Sequence, residues 1–301
     1  MRKKHIFKIV FVVLVSLVFI GCDAADTKKG STYPDVNVTQ QIDNNKTQTP
    51  DTNATQGALS YELQSYYADA IGKKNDKLKH ALHTILKDSA IYLTYAEDYK
   101  LLAKTDKDFS KPDEDNVVLF YLQESESAEN RCHSNSKNCW NREHMWPKSL
   151  GVGYDSSVNT YTDLHHLRPS DANVNAFRSN KPYGYATTPY DRIDGFYADD
   201  KFEVSDVLKG NVARAILYMT VRYEGDNDEP DLEIYAHNFS NKYPAELCTM
   251  LEWNKIDPVT DADRKRNDIV AKYQGNRNPF VDHVAWVDDI WADKCQRDQE
   301  R

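Results

Sequence analysis

WNREHMWPKS at residues 140–149 and TDLHHLRPSDANVNAFRSNKPYG at residues 162–184 carry the reading of this chain. Together they hold three of its nine histidines, His144, His165 and His166. Glu143 and His144 are adjacent, bounded by Trp146 and Pro147. TDLHHL reads as a short strand, the second after one at residues 116–123 that leads through a turn and the Cys132–Cys139 loop into WNREH. A helix follows from about Ser170 to Ser179, with Pro169 before it and Ser170 or Asp171 as its cap. Strand, connection, strand and helix make a compact ββα unit. In a TDLHHL strand, His165 and His166 point to opposite faces, leaving one of them free to orient a catalytic group.

Outward from this unit the chain is mostly helical. LSYELQSYYADAIG predicts a first helix ending at Gly72. A second follows, capped by Asn75 or Asp76, with Leu78, Ala81, Leu82, Ile85 and Leu86 at helical spacing. Tyr92, Tyr95 and Tyr99 are expected to pack on this layer in preference to stacking on nucleotides. NVVLFYLQ, residues 116–123, reads as a strand because branched and aromatic side chains crowd it. Further helices are predicted at Asn211–Tyr223 and Asp261–Tyr273, and a terminal one in VAWVDDIW, with Trp286 and Trp291 in packing roles. No internal repeat or clean linker interrupts residues 59–301, so one α+β domain is expected, a helical body around the ββα core.

The first 58 residues stand apart. Residues 1–22 combine Arg2, Lys3, Lys4 and Lys8 with an apolar run from Ile9 to Ile20, the pattern of an export leader. It ends at Gly21-Cys22, as at a lipoprotein cleavage site, so Cys22 is the candidate for lipid attachment. Residues 23–58 have few large apolar side chains and read as a disordered tether. Cys132, Cys139, Cys248 and Cys295 remain, an even number that favours disulfides in an exported chain. Of the three possible connectivities we favour Cys132–Cys139, which closes a short polar loop, and Cys248–Cys295, which ties down the C-terminus. The absence of any C-x-x-C pair argues against a zinc knuckle.

The formal net charge of −9 discourages long-range steering of a polyanion. Locally the sign reverses: Arg131–Gly184 holds seven lysines and arginines against four carboxylates, an excess of three. The chemistry available there suits a phosphodiester. A hard metal ion takes oxygen ligands, here the Glu143 carboxylate and the Asn175 carboxamide. A neutral imidazole at His144 takes a proton from water near neutral pH. Arg178, three residues beyond Asn175, falls on roughly the same helix face and can grip phosphate, with Arg168 and Lys148 as further cations. A lone Glu-His dipeptide is weak by itself, and the metalloprotease pattern H-E-x-x-H is absent.

WNREHMWPKSLG, TDLHHLRPSDANVNAFRSNKPYG and NRNPFVDH resemble the bacterial endonuclease I family, in its secreted nuclease and extracellular ribonuclease branch. The likeness runs from about Tyr66 to Trp291 and takes in GNVARAILYMTVRYEGD and LEWNKIDPV. It implies a ββα-metal (His-Me finger) core in which His144 is the general base. It also implies that Glu143 and Asn175 hold a single Mg²⁺, with Ca²⁺ or Mn²⁺ as substitutes. In that scheme water deprotonated by His144 attacks in line and leaves 5′-phosphate ends. Some members carry a phosphate-clamping arginine, and stapling cysteines, in a long insertion between the two motifs. Here the connection from Gly151 to Tyr161 is short and has no arginine or lysine. Arg168 and Arg178 are left to cover the clamp.

The expected protein is therefore an exported, monomeric, Mg²⁺-dependent endonuclease with little base specificity, acting on the backbone of DNA, RNA or both. The competing reading is a polyanion-binding protein that keeps the scaffold without turnover; intact Glu143, His144 and Asn175 argue against it. A metallophosphatase would need more ligands than the sequence offers.

Overall fold

The chain enters through α1 (Tyr61–Tyr66) and α2 (Asn75–Ser89). The first helix is shorter than its apolar pattern predicts: residues 67–72 form turns, and Gly72 at φ +77° reverses the chain into α2. In α2 the predicted face is the buried one, with Leu78, Ala81, Leu82 and Leu86 in the core. Its N-cap is Lys74, which makes no side-chain capping bond, so Asn75 and Asp76 lie inside the first turn instead of ahead of it. These and the following elements come from a computed structural model that describes residues 61–299, apart from 134, 135, 137, 227 and 238–241. The expected leader, the tether and Cys22 lie outside the described residues.

After α3 (Asp98–Thr105), β1 (Asn116–Leu119) and β2 (Glu124–Ser127) form an antiparallel hairpin with Asn116 opposite Ser127. The strand stops at Leu119, four residues short of the expected end. Gln123, at φ +55°, turns back to donate its N–H to Leu119 O, and Phe120 and Tyr121 go into the core. Next come β3 (Trp140–His144), α4 (Asn159–Thr162), β4 (Leu167–Asp171) and α5 (Ala172–Arg178). Then follow a small ribbon of β5 (Tyr197–Ala198) and β6 (Phe202–Glu203), and the helices α6 (Asp206–Arg222), α7 (Leu247–Ile256), α8 (Asp261–Gln274), α9 (Pro279–Asp282) and α10 (Trp286–Gln299).

The α+β body is organised on α6. From Leu208 to Arg222 only Asn211 is not buried, as in a helix enclosed on all sides. It packs on α7, α2 and α9, and α10 closes the layer with Trp286 and Trp291 buried, as expected of them. Thr260 and Asp263 start α8 with a reciprocal capping box. Both favoured disulfides are present: Cys132–Cys139, with Cα atoms 5.0 Å apart, and Cys248–Cys295 at 5.5 Å.

β3 and β4 pair antiparallel, Trp140 opposite Asp171 and His144 opposite Leu167. The second strand is thus LRPSD, not TDLHHL, and its partner is WNREH, which the sequence places in the connection after the strand at 116–123. Asp163 is the physical reason: its backbone O accepts from the N–H groups of His166 and Leu167, and its side chain accepts from the N–H of His165. That closes a turn over the histidine pair, so strand alternation does not govern where they point. From β4 the chain passes directly into α5, whose cap is Asp171, accepting from the N–H groups of Asn173 and Val174 at 3.0 Å each.

Candidate active site

β3 and α5 line one wall of a cleft of about 620 Å³, which takes in Asn141, Arg142, Glu143, His144, Lys148, Tyr154 and Asn175. Four consecutive β3 residues, Asn141 to His144, line it. Glu143 is 2% exposed, and its Oε1 accepts from Tyr121 Oη at 2.7 Å and from Arg178 Nη1 at 3.0 Å. Both bonds fall on that oxygen; Oε2 takes part in no hydrogen bond among the described residues. Burial pushes the Glu143 carboxyl above its ordinary range, and the Arg178 charge and the Tyr121 hydroxyl only partly offset it.

Asn175 projects from α5 toward the same edge. Its Nδ2 donates to Asn141 Oδ1 at 2.8 Å and to Arg142 O at 3.1 Å. Because both partners are acceptors, the amide orientation is fixed and Oδ1 is left as the outward donor atom. Asn141, two residues before Glu143, escaped the sequence reading; period-two alternation along β3 was the signal that could have found it.

His144 is 6% exposed, and its Nε2 lies 3.0 Å from Tyr161 O. A carbonyl only accepts, so Nε2 carries the proton and Nδ1 holds the lone pair. Burial, first of all, drives this imidazole well below its ordinary pKa, aided by His166 and Lys148. His166 repeats the arrangement one residue earlier in α4, its Nε2 donating to Thr160 O at 2.8 Å, and its ring meets that of His144 edge-on at 5.4 Å. His165 turns away, with Nε2 bonded to Asn276 O and its ring against Tyr218.

The two arginines expected at phosphate are placed elsewhere. Arg178 is fully buried: Nη1 donates to Glu143 Oε1 and His144 O, Nη2 to Met145 O, and Tyr183 covers the guanidinium at 4.3 Å. It braces the end of β3 from behind. Arg168 lies outside the cleft, donating to Asp106 Oδ1 at 2.6 Å and Asn211 Oδ1 at 3.0 Å. Among the described residues the cleft cations are Arg142 and Lys148. Tyr95 and Tyr99 lean partly on the core, as expected, but each also gives a ring to Arg142, at 3.2 and 4.1 Å. Tyr92 is 45% exposed and does not pack as predicted.

Residues 74–285 match the family profile described as Endonuclease I. The chain belongs to the endonuclease I family. Among curated members, the extracellular ribonuclease of Bacillus subtilis (strain 168) is 44% identical over 234 residues, spanning 76% of this chain and 79% of that protein. The extracellular ribonuclease of Bacillus amyloliquefaciens is 38% identical over 292 residues, 94% and 99% of the two chains. Endonuclease-1 of Buchnera aphidicola subsp. Baizongia pistaciae is 27% identical over 161 residues, about half of each chain. In this endonuclease I chain the matched region contains the whole β3–β4–α5 wall and α6.

The buried imidazoles set an acid sensitivity. His144 is held well below its ordinary pKa, and His165 and His166 are pulled down to about 4, burial being the largest cause in each. Unfolded histidine titrates near ~6.5. Between the two values the unfolded chain binds more protons, so stability rises with pH across that window and falls as pH drops through it. Thermal unfolding in EDTA should show a lower Tm at pH 5 than at pH 7; a Tm flat over that range would mean that these rings are hydrated in the folded state.

Proposed function

We propose that this protein is an exported, metal-dependent endonuclease that hydrolyses phosphodiester bonds of DNA and RNA to 5′-phosphate ends. The observation that carries the reading is the convergence in one cleft of a neutral His144, locked as the Nε2–H tautomer by Tyr161 O, with Glu143 Oε2 and Asn175 Oδ1. The ββα wall supports a His-Me finger assignment. Export follows from the leader pattern and from the extracellular relatives.

The donor set fits one hard cation. Among the described residues no three His, Cys, Asp or Glu side chains cluster around a metal position. Two protein oxygens, one anionic and one neutral, would therefore be completed by water and phosphate, as Mg²⁺ tolerates. The raised pKa of Glu143 points the same way, since the chain's own groups leave its buried charge incompletely compensated. When bound, Mg²⁺ would polarise the phosphoryl group and offset charge on the leaving oxygen.

The protein's own residues do the rest. His144 Nδ1 accepts a proton from water, and Tyr161 O holds the ring so that this lone pair serves the reaction. Arg178 and Tyr121 fix the Glu143 carboxylate, and Asn141 fixes the Asn175 amide. Recognition confined to the sugar–phosphate backbone leaves base identity unread.

Purified mature protein should cut both supercoiled DNA and structured RNA with Mg²⁺ and neither with EDTA, releasing oligonucleotides and no inorganic phosphate. Binding without scission under all metals would favour the non-catalytic reading. The lipid at Cys22 belongs to the same proposal. Intact mass of the exported protein should show a diacylglyceryl cysteine, and an unmodified N-terminus beyond Cys22 would remove it.

A further inference from the structure

With Arg168 and Arg178 committed elsewhere, the cleft has two cations among the described residues, and they differ in kind. Arg142 is sandwiched between Tyr95 and Tyr99, donates to Tyr95 O at 2.6 Å and faces the buried Asp98 at 3.9 Å. Lys148 forms no salt bridge among the described residues. Its Nζ donates to the Tyr161 hydroxyl, at 3.3 Å, and hangs between two rings, 5.3 Å from the centre of Tyr161 and 5.6 Å from that of Tyr154. Tyr161 in turn meets His144 ring to ring at 4.8 Å. A continuous row thus leads from the base outward: His144, Tyr161, Lys148, Tyr154.

Tyr154 ends this row with 72% of its surface in solvent, the most exposed large aromatic side chain described. Its position is built. Gly153 donates its N–H to Lys148 O at 2.9 Å, tying the loop back beside the lysine. Gly151 sits at φ +119°, where a Cβ would also strike Leu232 at 2.7 Å, so only glycine makes this turn. The loop from Gly151 to Tyr161 has no cation of its own but presents a bare aromatic face next to Lys148, which has no salt-bridge partner among the described residues.

We propose that Lys148 and Tyr154 form a nucleotide subsite, Lys148 on a backbone phosphate and Tyr154 under the base of an unpaired nucleotide. In a duplex each base face is covered by its neighbours, and a side chain reaches only base edges and backbone. A tyrosine face takes a base only where the strand is single or the base is splayed out. The pair therefore selects single strands, loops and bulges over duplex. Stacking reads no base identity, in keeping with the absence of sequence specificity.

This inference rests on the nuclease reading, and the test separates the two. Short fluorescent RNA and DNA strands are cleaved alone and annealed to their complements, by wild type and by His144→Ala. Wild type should favour the unpaired strand in kcat/KM. Tyr154→Ala should lower the unpaired-over-duplex ratio by about tenfold, the size of one lost base–aromatic stack, while Tyr154→Phe and Tyr154→Trp keep it. Lys148→Ala should weaken cleavage of both forms and reduce the salt slope by about one, with Lys148→Arg restoring both. A wild type that prefers duplex, or a ratio unmoved in Tyr154→Ala, overturns the subsite alone. Cleavage at the wild-type rate in His144→Ala, or none by wild type on any strand, overturns the His144-based nuclease reading and the subsite with it.

Discussion

His144→Ala should leave the protein folded and lower phosphodiester cleavage by ~10²–10⁴-fold, the usual contribution of a positioned base. The ring is buried but sits at the cleft, and its one hydrogen bond goes to Tyr161 O, which α4 keeps in place through the neighbouring His166–Thr160 bond. Nucleic-acid and metal binding should persist, because neither Glu143 nor Asn175 depends on the imidazole. Added imidazole or higher pH should restore part of the rate. Glu143→Ala and Asn175→Ala should fail differently, each weakening Mg²⁺ affinity, the carboxylate loss more than the amide loss because the amide carries no formal charge. Cleavage kinetics, metal titration and circular dichroism on the same preparations distinguish these outcomes. Full plasmid nicking by folded His144→Ala, with an unchanged pH profile, would remove His144 from the mechanism.

The parts of this site that the sequence announced are those whose geometry is local. In WNREH, adjacency brings Glu143 and His144 to one cleft, and Asp171 caps α5 through bonds two and three residues away. Helical spacing likewise announced the buried face of α2. The failures at Asp163 and Arg178 involve partners distant in the chain. TDLHHL carries a strand-like alternation, yet Asp163 bends it into a turn and accepts Tyr218 Oη, Tyr223 Oη and Gln274 Nε2 from α6 to α8. Three-residue spacing does place Arg178 near Asn175 in projection. What decides its role is Tyr183 folding over it and Tyr121 arriving from the β1–β2 hairpin, neither of which the local pattern encodes. Lys148 is only one further cation in the sequence, because no sequence rule distinguishes a lysine without a salt bridge from a paired arginine.

Arg178→Met should cost about 3–5 kcal/mol of stability, the range for removing one partner of a buried ion pair. The side chain is enclosed, and it satisfies Glu143 Oε1, His144 O and Met145 O at once. Methionine fills much of its volume but donates nothing, so a buried carboxylate and two buried carbonyls lose their donor. For a domain of this size each kcal/mol shifts Tm by roughly 2–4 °C, so a fall of about 10 °C is expected. The salt dependence of nucleic-acid binding by the folded fraction should not change, because the guanidinium meets no phosphate. Arg178→Lys should recover little, since one ammonium cannot span the three acceptors that the planar fork reaches. A phosphate-clamping Arg178 makes the opposite forecast: unchanged Tm, a raised KM and a shallower salt slope. Thermal melts and salt titrations on Arg178→Met therefore decide whether this arginine holds the substrate or holds the strand that carries Glu143 and His144.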